Sequence, residues 1–130
     1  MNIQTIKNLN KLKNASLTKN ESVSLEYNFL ILNIIQQLYK EGFIQSFKIK
    51  RDFIMDKKTI LVNLRYYFNK SILNKLKILS SGSKIKALDF KSVSRLNSKK
   101  EVIFLSTNQG ILTHLECKHH KLGGILFFIC

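Results

Sequence analysis

Ser106, Cys117 and the three histidines His114, His119 and His120 all fall between residues 106 and 120, and Cys130 follows. A serine beside an imidazole can act as an activated nucleophile, and thiol and imidazole groups are good zinc ligands. The spacing supports neither chemistry. Ser106 lacks the Gly-x-Ser-x-Gly setting of a nucleophile elbow, Glu116 is the only evident carboxylate to orient a histidine, and no phosphate-binding glycine loop occurs. Cys117-Lys118-His119-His120 is unlike the paired-knuckle spacing of zinc modules, and two cysteines make no disulfide framework. No catalytic residue, metal, cofactor or small-molecule substrate is expected. A third chemistry fits better: Ser106-Thr107-Asn108-Gln109 offers neutral donors and acceptors, the groups that read ribose 2′-hydroxyls and base edges in irregular RNA.

Those side chains need a rigid mount, and the flanking residues supply one. Val102-Ile103-Phe104-Leu105 enters the polar turn and Ile111-Leu112 leaves it, which predicts a hairpin with a three-residue connection and Gly110 at positive φ. A basic helix is expected around Leu115 to Lys121. Beyond the glycine pair Gly123-Gly124, a last strand from Ile125 to Ile129 has no polar alternation, so both of its faces should be covered.

Earlier in the chain, Ile3, Ile6, Leu9 and Leu12 recur on a short first helix, leaving Lys7, Lys11 and Lys13 toward the other side. A second helix from about Tyr27 to Glu41 carries Leu30, Ile31, Ile34, Ile35 and Leu38 on one face and stops at Gly42. Alternation at Phe43, Phe47 and Ile49, and again at Ile60, Val62 and Leu64, predicts two half-buried strands joined across Arg51 to Lys58. The polar Asn69-Lys70-Ser71 marks a boundary. The expected class is α+β, with two small, tightly packed lobes. Residues 1–70 form a helix-strand-helix-strand-strand lobe, and residues 71–130 form a mainly antiparallel lobe with a short helix that binds RNA.

Twenty-two Lys and Arg oppose eight Asp and Glu, a net charge of +14, which points to a polyanionic partner. A membrane is not expected, because the longest apolar candidate, Tyr27 to Tyr39, is interrupted by Asn28, Asn33, Gln36 and Gln37. Lys57-Lys58 and Lys99-Lys100 read as loop tips, able to add phosphate affinity without sequence preference. Arginine occurs only at Arg51, Arg65 and Arg95, and Pro and Trp are absent, an AT-rich coding bias that points to an organellar or similarly biased genome. The amino terminus shows no targeting segment. Synthesis inside a mitochondrion, without import, and work in its matrix are therefore expected.

Leu105-Ser106-Thr107-Asn108-Gln109-Gly110-Ile111-Leu112-Thr113, followed by Leu122-Gly123-Gly124, closely resembles the C-terminal signature of the small ribosomal subunit protein eight family. That signature reads Ser-Thr-Ser-Lys-Gly-hydrophobic-Met-Thr, then Gly-Gly-Glu. Lys11-Leu12-Lys13-Asn14 is similar to the family's Arg-Ile-Arg-Asn, Tyr39-Lys40-Glu41-Gly42-Phe43-Ile44 to its Glu-Glu-Gly-Phe-Ile corner, and Val62-Asn63-Leu64-Arg65-Tyr66 to its Leu-Thr-Leu-Lys-Tyr strand. Residues 80–85 stand where the family has Ser-Arg-Pro-Gly-Leu-Arg-hydrophobic; Ser80 and Lys84 match, while the first Arg is Ser81 and the Pro is missing. Lys99-Lys100-Glu101 replaces Gly-Leu-Gly, Ile125 replaces the Glu after Gly-Gly, and His114 replaces the Asp after the signature Thr.

The resemblance implies a structural, non-enzymatic protein of the small ribosomal subunit. Its partners would be the central domain of small-subunit rRNA and neighbouring ribosomal proteins. The implied RNA contacts are Lys11, Lys13, Asn14, Ser80, Lys84, Ser106, Thr107, Asn108, Gln109, Gly110, Gly123 and Gly124. Ser106, Thr107 and Asn108 would enter the shallow groove, Lys11, Lys13 and Lys84 would neutralise phosphates, and Gly123-Gly124 would permit close backbone approach. A free-standing RNA- or DNA-binding regulator, for example of its own messenger, is the alternative.

Overall fold

A computed structural model describes residues 3–68, 70–79, 86–96 and 101–130 of the chain. These residues form α-helices and antiparallel sheets, an α+β protein, arranged as two compact units, one over Gln4–Asn74 and one over Lys75–Cys130.

The first unit begins with α1 (Ile3–Leu17), whose buried residues are Thr5, Asn8, Leu9, Leu12, Ala15 and Ser16. That spacing follows 3.6 residues per turn more closely than the Ile3-Ile6-Leu9-Leu12 row does, and Ile3 is 72% exposed. Polar residues complete the inward face. Asn8 satisfies its amide by donating to the Glu26 carbonyl at 3.2 Å, as a buried polar group must.

Strand β1 (Ser22–Glu26) buries Val23 and Leu25 in strict alternation. Helix α2 (Phe29–Lys40) starts at Asn28, whose side chain accepts from Leu30 N at 2.8 Å, and buries Ile31, Ile34, Ile35 and Leu38. It ends where the sequence requires. Gly42 sits at φ +83°, Phe43 N donates to the Leu38 carbonyl at 2.9 Å and Gly42 N to that of Tyr39 at 3.1 Å, a Schellman motif.

Strands β2 (Ile44–Asp52) and β3 (Lys57–Leu64) then form a hairpin, giving the sheet order β1-β3-β2 with Ile60, Val62 and Leu64 buried from the central strand. The connection is shorter than the alternation suggests. Arg51 pairs with Lys58 and Asp52 with Lys57, so a ladder occupies half of the segment expected to be loop and only 53–56 turn. Strands β4 (Tyr66–Tyr67) and β5 (Lys70–Ser71) form a small separate pair, and a single 3-10 turn covers Ile72–Lys75.

In the second unit, β6 (Lys77–Ile78), β7 (Ala87–Leu88), α3 (Phe90–Ser94), β8 (Ile103–Thr107), β9 (Gly110–Thr113), α4 (His114–His120) and β10 (Gly124–Ile129) follow in order. Strand β10 is the hub, hydrogen-bonded to β6, β7 and β8, while β9 pairs with β8. One core forms where α3 and α4 cover the sheet, from Val93, Ile103, Leu105 and Cys117. Phe104 stacks on Phe128 with centroids 4.6 Å apart. A register shift between Leu126 and Phe128 lets the consecutive Phe127 and Phe128 both be buried. The expected covering of both faces fails only at the start of the strand, where Ile125 is partly exposed.

Helix α3 is a single turn that periodicity did not signal. Asp89 starts it, accepting from Ser92 N at 2.9 Å, and this bond holds the Asp89 carboxyl below the usual range.

Candidate nucleic-acid interface

The polar turn lies on the β8–β9 hairpin, where Thr107 pairs with Gly110 and Ser106 with Ile111. The connection is therefore the two residues Asn108 and Gln109 rather than three. Gly110 adopts φ +112° with open space where a Cβ would stand, so the requirement for glycine is one of backbone conformation.

Thr107 closes this turn with its own hydroxyl. It donates to the Gly110 carbonyl at 2.8 Å and accepts from Gln109 N at 3.2 Å. The side chains of Asn108 and Gln109 are exposed and that of Ser106 is half-buried; none makes a side-chain hydrogen bond among the described residues. One hydroxyl is consumed in holding the turn, which leaves a hydroxyl and two carboxamides to face a partner.

Gly124 meets the same hairpin from the neighbouring strand, while Gly123 meets the end of β7. A Cβ on Gly124 would lie 2.7 Å from the Ser106 carbonyl oxygen and 3.0 Å from Thr107 Cγ2, and one on Gly123 would lie 2.6 Å from the Leu88 carbonyl oxygen. All three distances are shorter than van der Waals contact. The close approach is between strands of this chain, and it sets β10 directly beside β8 at the polar turn.

The base of the hairpin is fixed by two residues whose structural roles sequence reasoning missed. Thr113 caps α4, accepting from Glu116 N at 3.2 Å. His114, buried at the first helical position, accepts from Ile103 N through Nδ1 at 3.2 Å. The Thr113-x-x-Glu116 spacing is the signal that could have located the cap. The lone pair of His114 Nδ1 is engaged with backbone rather than with Ser106, so among the described residues these two do not form a nucleophile and base.

The remaining chemistry of this segment is equally quiet. Cys117 and Cys130 are free and buried; burial pushes both thiols up, that of Cys130 to about 12. Among the described residues no group of three or more His, Cys, Asp and Glu could hold a metal ion. No helix of the described residues is long and apolar enough to cross a membrane. Lys118 donates to the Leu96 carbonyl, tying α4 to the end of α3.

The structure thus brings together Ser106, Thr107, Asn108, Gln109, Gly110, Gly123 and Gly124 in the second unit. Lys11, Lys13 and Asn14 belong to α1 of the first unit, with Lys11 and Asn14 exposed and Lys13 half-buried. Ser80 and Lys84 lie outside the described residues.

A model of the ribosomal protein S8 family matches residues 5–130, spanning every element that builds this hairpin. The chain belongs to that family. Ribosomal protein S8 is a structural protein and not an enzyme, in keeping with a turn that offers hydrogen bonds and no reactive group. The chain is 36% identical to small ribosomal subunit protein uS8c of Bigelowiella natans, over 94% of this chain and 93% of that one. It is 31% identical to small ribosomal subunit protein uS8 of Borreliella afzelii, over 91% and 89%. It is 33% identical to small ribosomal subunit protein uS8m of Acanthamoeba castellanii, over 78% of each. The similarity thus reaches organellar relatives of two kinds as well as bacterial ones.

Proposed function

We propose that this S8 protein is a structural constituent of the small subunit of an organellar ribosome, where it binds the central domain of small-subunit rRNA through the β8–β9 hairpin. The observation that carries this reading is the division of labour in the turn. Thr107 and the glycine contacts hold the backbone, so the side chains of Ser106, Asn108 and Gln109 are presented in a fixed geometry with their hydrogen-bonding capacity unspent. Preorganised neutral donors and acceptors suit the ribose and base edges of an irregular RNA helix.

Lys11, Lys13 and Lys84 supply phosphate affinity, Asn14 and Ser80 contribute polar contacts, and adjacent small-subunit proteins complete the surroundings. Thr107 acts mainly by shaping the turn. A mitochondrial home is supported by the similarity to the uS8m protein and by the scarcity of arginine, three residues among 22 basic ones.

Filter binding to a transcript of the organelle's small-subunit rRNA tests the site. Ser106→Ala should cost about 1 kcal/mol of affinity with no loss of fold stability, and Lys84→Ala should lower the salt slope by about one unit. Unchanged affinity for Ser106→Ala would remove that residue from the interface. In sedimentation the protein should comigrate with the small subunit of purified mitochondria; recovery in the light fractions alone would favour a free-standing regulator, and recovery with plastid ribosomes would relocate it.

A further inference from the structure

The β2–β3 hairpin ends in three consecutive apolar side chains that nothing in its unit covers. Phe53 is 85% exposed, Ile54 95% and Met55 63%. Leaving such groups in water forgoes the stabilisation of burying them. The turn that presents them is built with care. Asp52 accepts from Ile54 N at 3.0 Å, Arg51 donates to Asp56 at 2.9 Å, Asp56 takes the left-handed backbone at φ +50°, and the Arg51 guanidinium sits 5.8 Å from the Phe53 ring centroid.

Charge surrounds this tip on both faces. Directly paired residues of an antiparallel ladder share a face, and neighbours along a strand alternate. The register therefore places Arg51 and Lys58 on the face that carries buried Ile60, and Lys48, Lys50 and Lys57 on the opposite face. Asp52 shares that face, opposite Lys57, and its carboxylate accepts from Ile54 N; none of Lys48, Lys50 and Lys57 forms a salt bridge among the described residues. Lys58 lies over the Tyr27 ring at 5.4 Å. Beside it a cleft of about 500 Å³ opens, where Arg51, Lys57 and Lys58 face the carboxylates of Glu26 and Asp56.

An apolar tip with cations on both faces fits between two strands of a polyanion. The lysines meet phosphates on either side, and the tip reaches the bases. A protein partner fits less well. Three side chains are far short of the 20–30 residues a side that a stable protein interface uses, and its surface would have to be acidic on two opposite sides.

We propose that the β2–β3 hairpin is a second RNA-binding element, in which an unpaired nucleotide of the small-subunit rRNA stacks on Phe53 while Ile54 and Met55 wedge against its neighbours and Lys48, Lys50 and Lys57 hold the flanking phosphates. The inference rests on the reading of this chain as an rRNA binder. It adds a contact made by aromatic stacking, a chemistry that the hydroxyl and amide groups of the β8–β9 turn do not supply.

The test uses the full chain and the small-subunit rRNA transcript. The triple variant Phe53→Ala/Ile54→Ser/Met55→Ser should bind about 5- to 150-fold more weakly, the range given by loss of one base stack, with thermal unfolding unchanged. Phe53→Trp should retain the affinity, because any aromatic face can stack. A benzophenone side chain at position 53, in assembled small subunits, should crosslink to rRNA at nucleotides different from those reached from position 108. Equal affinity of the triple variant and the wild type overturns the inference while leaving the β8–β9 interface intact. Crosslinks from position 53 to protein alone also overturn it, in favour of a neighbouring chain. Binding to vesicles of phosphatidylserine and phosphatidylcholine that the triple variant loses, with RNA affinity unchanged, overturns it in favour of a membrane surface. Failure of the wild type to bind the transcript at all removes both this contact and the proposed function.

Discussion

The β8–β9 and β2–β3 hairpins are both antiparallel and both end in a short turn, yet they spend their side chains in opposite ways. In β8–β9, Thr107 closes the turn, Gly110 bends it and Gly124 lets a third strand press against its back, so the exposed groups are few, neutral and fixed. In β2–β3, carboxylates build the turn, cations occupy both faces and three large apolar groups face outward. The contrast separates two routes to a nucleic acid: hydrogen-bond readout from a turn backed by a neighbouring strand, and charge with stacking from a tip of exposed apolar side chains. It also predicts where mutation harms the fold and where it harms binding alone.

The sharpest break should come at Gly124→Ala. Its new Cβ would collide with the Ser106 carbonyl, a backbone atom that cannot swing aside, so urea unfolding should show a loss of about 3 kcal/mol. A loss below about 0.5 kcal/mol would mean that β10 does not support the turn as tightly as described.

Alkaline pH should distinguish the two units next, because both cysteines belong to the second. In the unfolded chain Cys130 ionises near 9, whereas the buried thiol keeps its proton to about 12. The native state then binds more protons than the unfolded one, and stability falls as pH rises through that window. The slope is at most about 1.4 kcal/mol per pH unit. Cys130→Ala should flatten the decline between pH 9 and 10.5 in urea titrations, and an equal decline in both proteins would assign the alkaline loss elsewhere.

A smaller effect should follow from Thr107→Val, which keeps the shape and removes both turn hydrogen bonds. About 1 kcal/mol of stability should go, with faster amide exchange at Gln109. Ser106→Ala should leave that exchange unchanged, and if the two variants behaved alike the distinction between a turn-holding and a partner-facing hydroxyl would collapse. The least effect on folding belongs to the other hairpin: Ile54→Ser should shift stability by less than about 0.5 kcal/mol, as expected for a side chain 95% exposed.

Much of this was legible in the sequence, and the exceptions share causes. Helix α2 has a wide apolar stripe, a capping Asn28 and a terminal Gly42, and those local signals agree with where it begins and ends. The alternation of Ile60, Val62 and Leu64 likewise located β3. The inward face of α1 was misjudged because Thr5, Asn8 and Ser16 complete it, and a polar residue satisfied by a hydrogen bond leaves no hydrophobic period to read. Strands β6 and β7 have two residues each, too few to show any alternation.

At the candidate interface, residue types and order marked the turn. The two-residue connection and the inward commitment of the Thr107 hydroxyl depend on register, which composition does not encode. The β2–β3 tip is hidden for a related reason: Phe53, Ile54 and Met55 fall within the connection expected across Arg51 to Lys58, and only the ladder on either side leaves all three exposed.

The narrow gap above Gly124 also constrains how related sequences can diverge. A glycine kept at that position would be required by the backbone of the neighbouring strand whether or not RNA ever touches it, so its retention carries no information about a ligand. The informative positions are those that could change without disturbing the fold, Asn108 and Gln109. Substitutions there that track changes in the rRNA would be the mark of selection on binding.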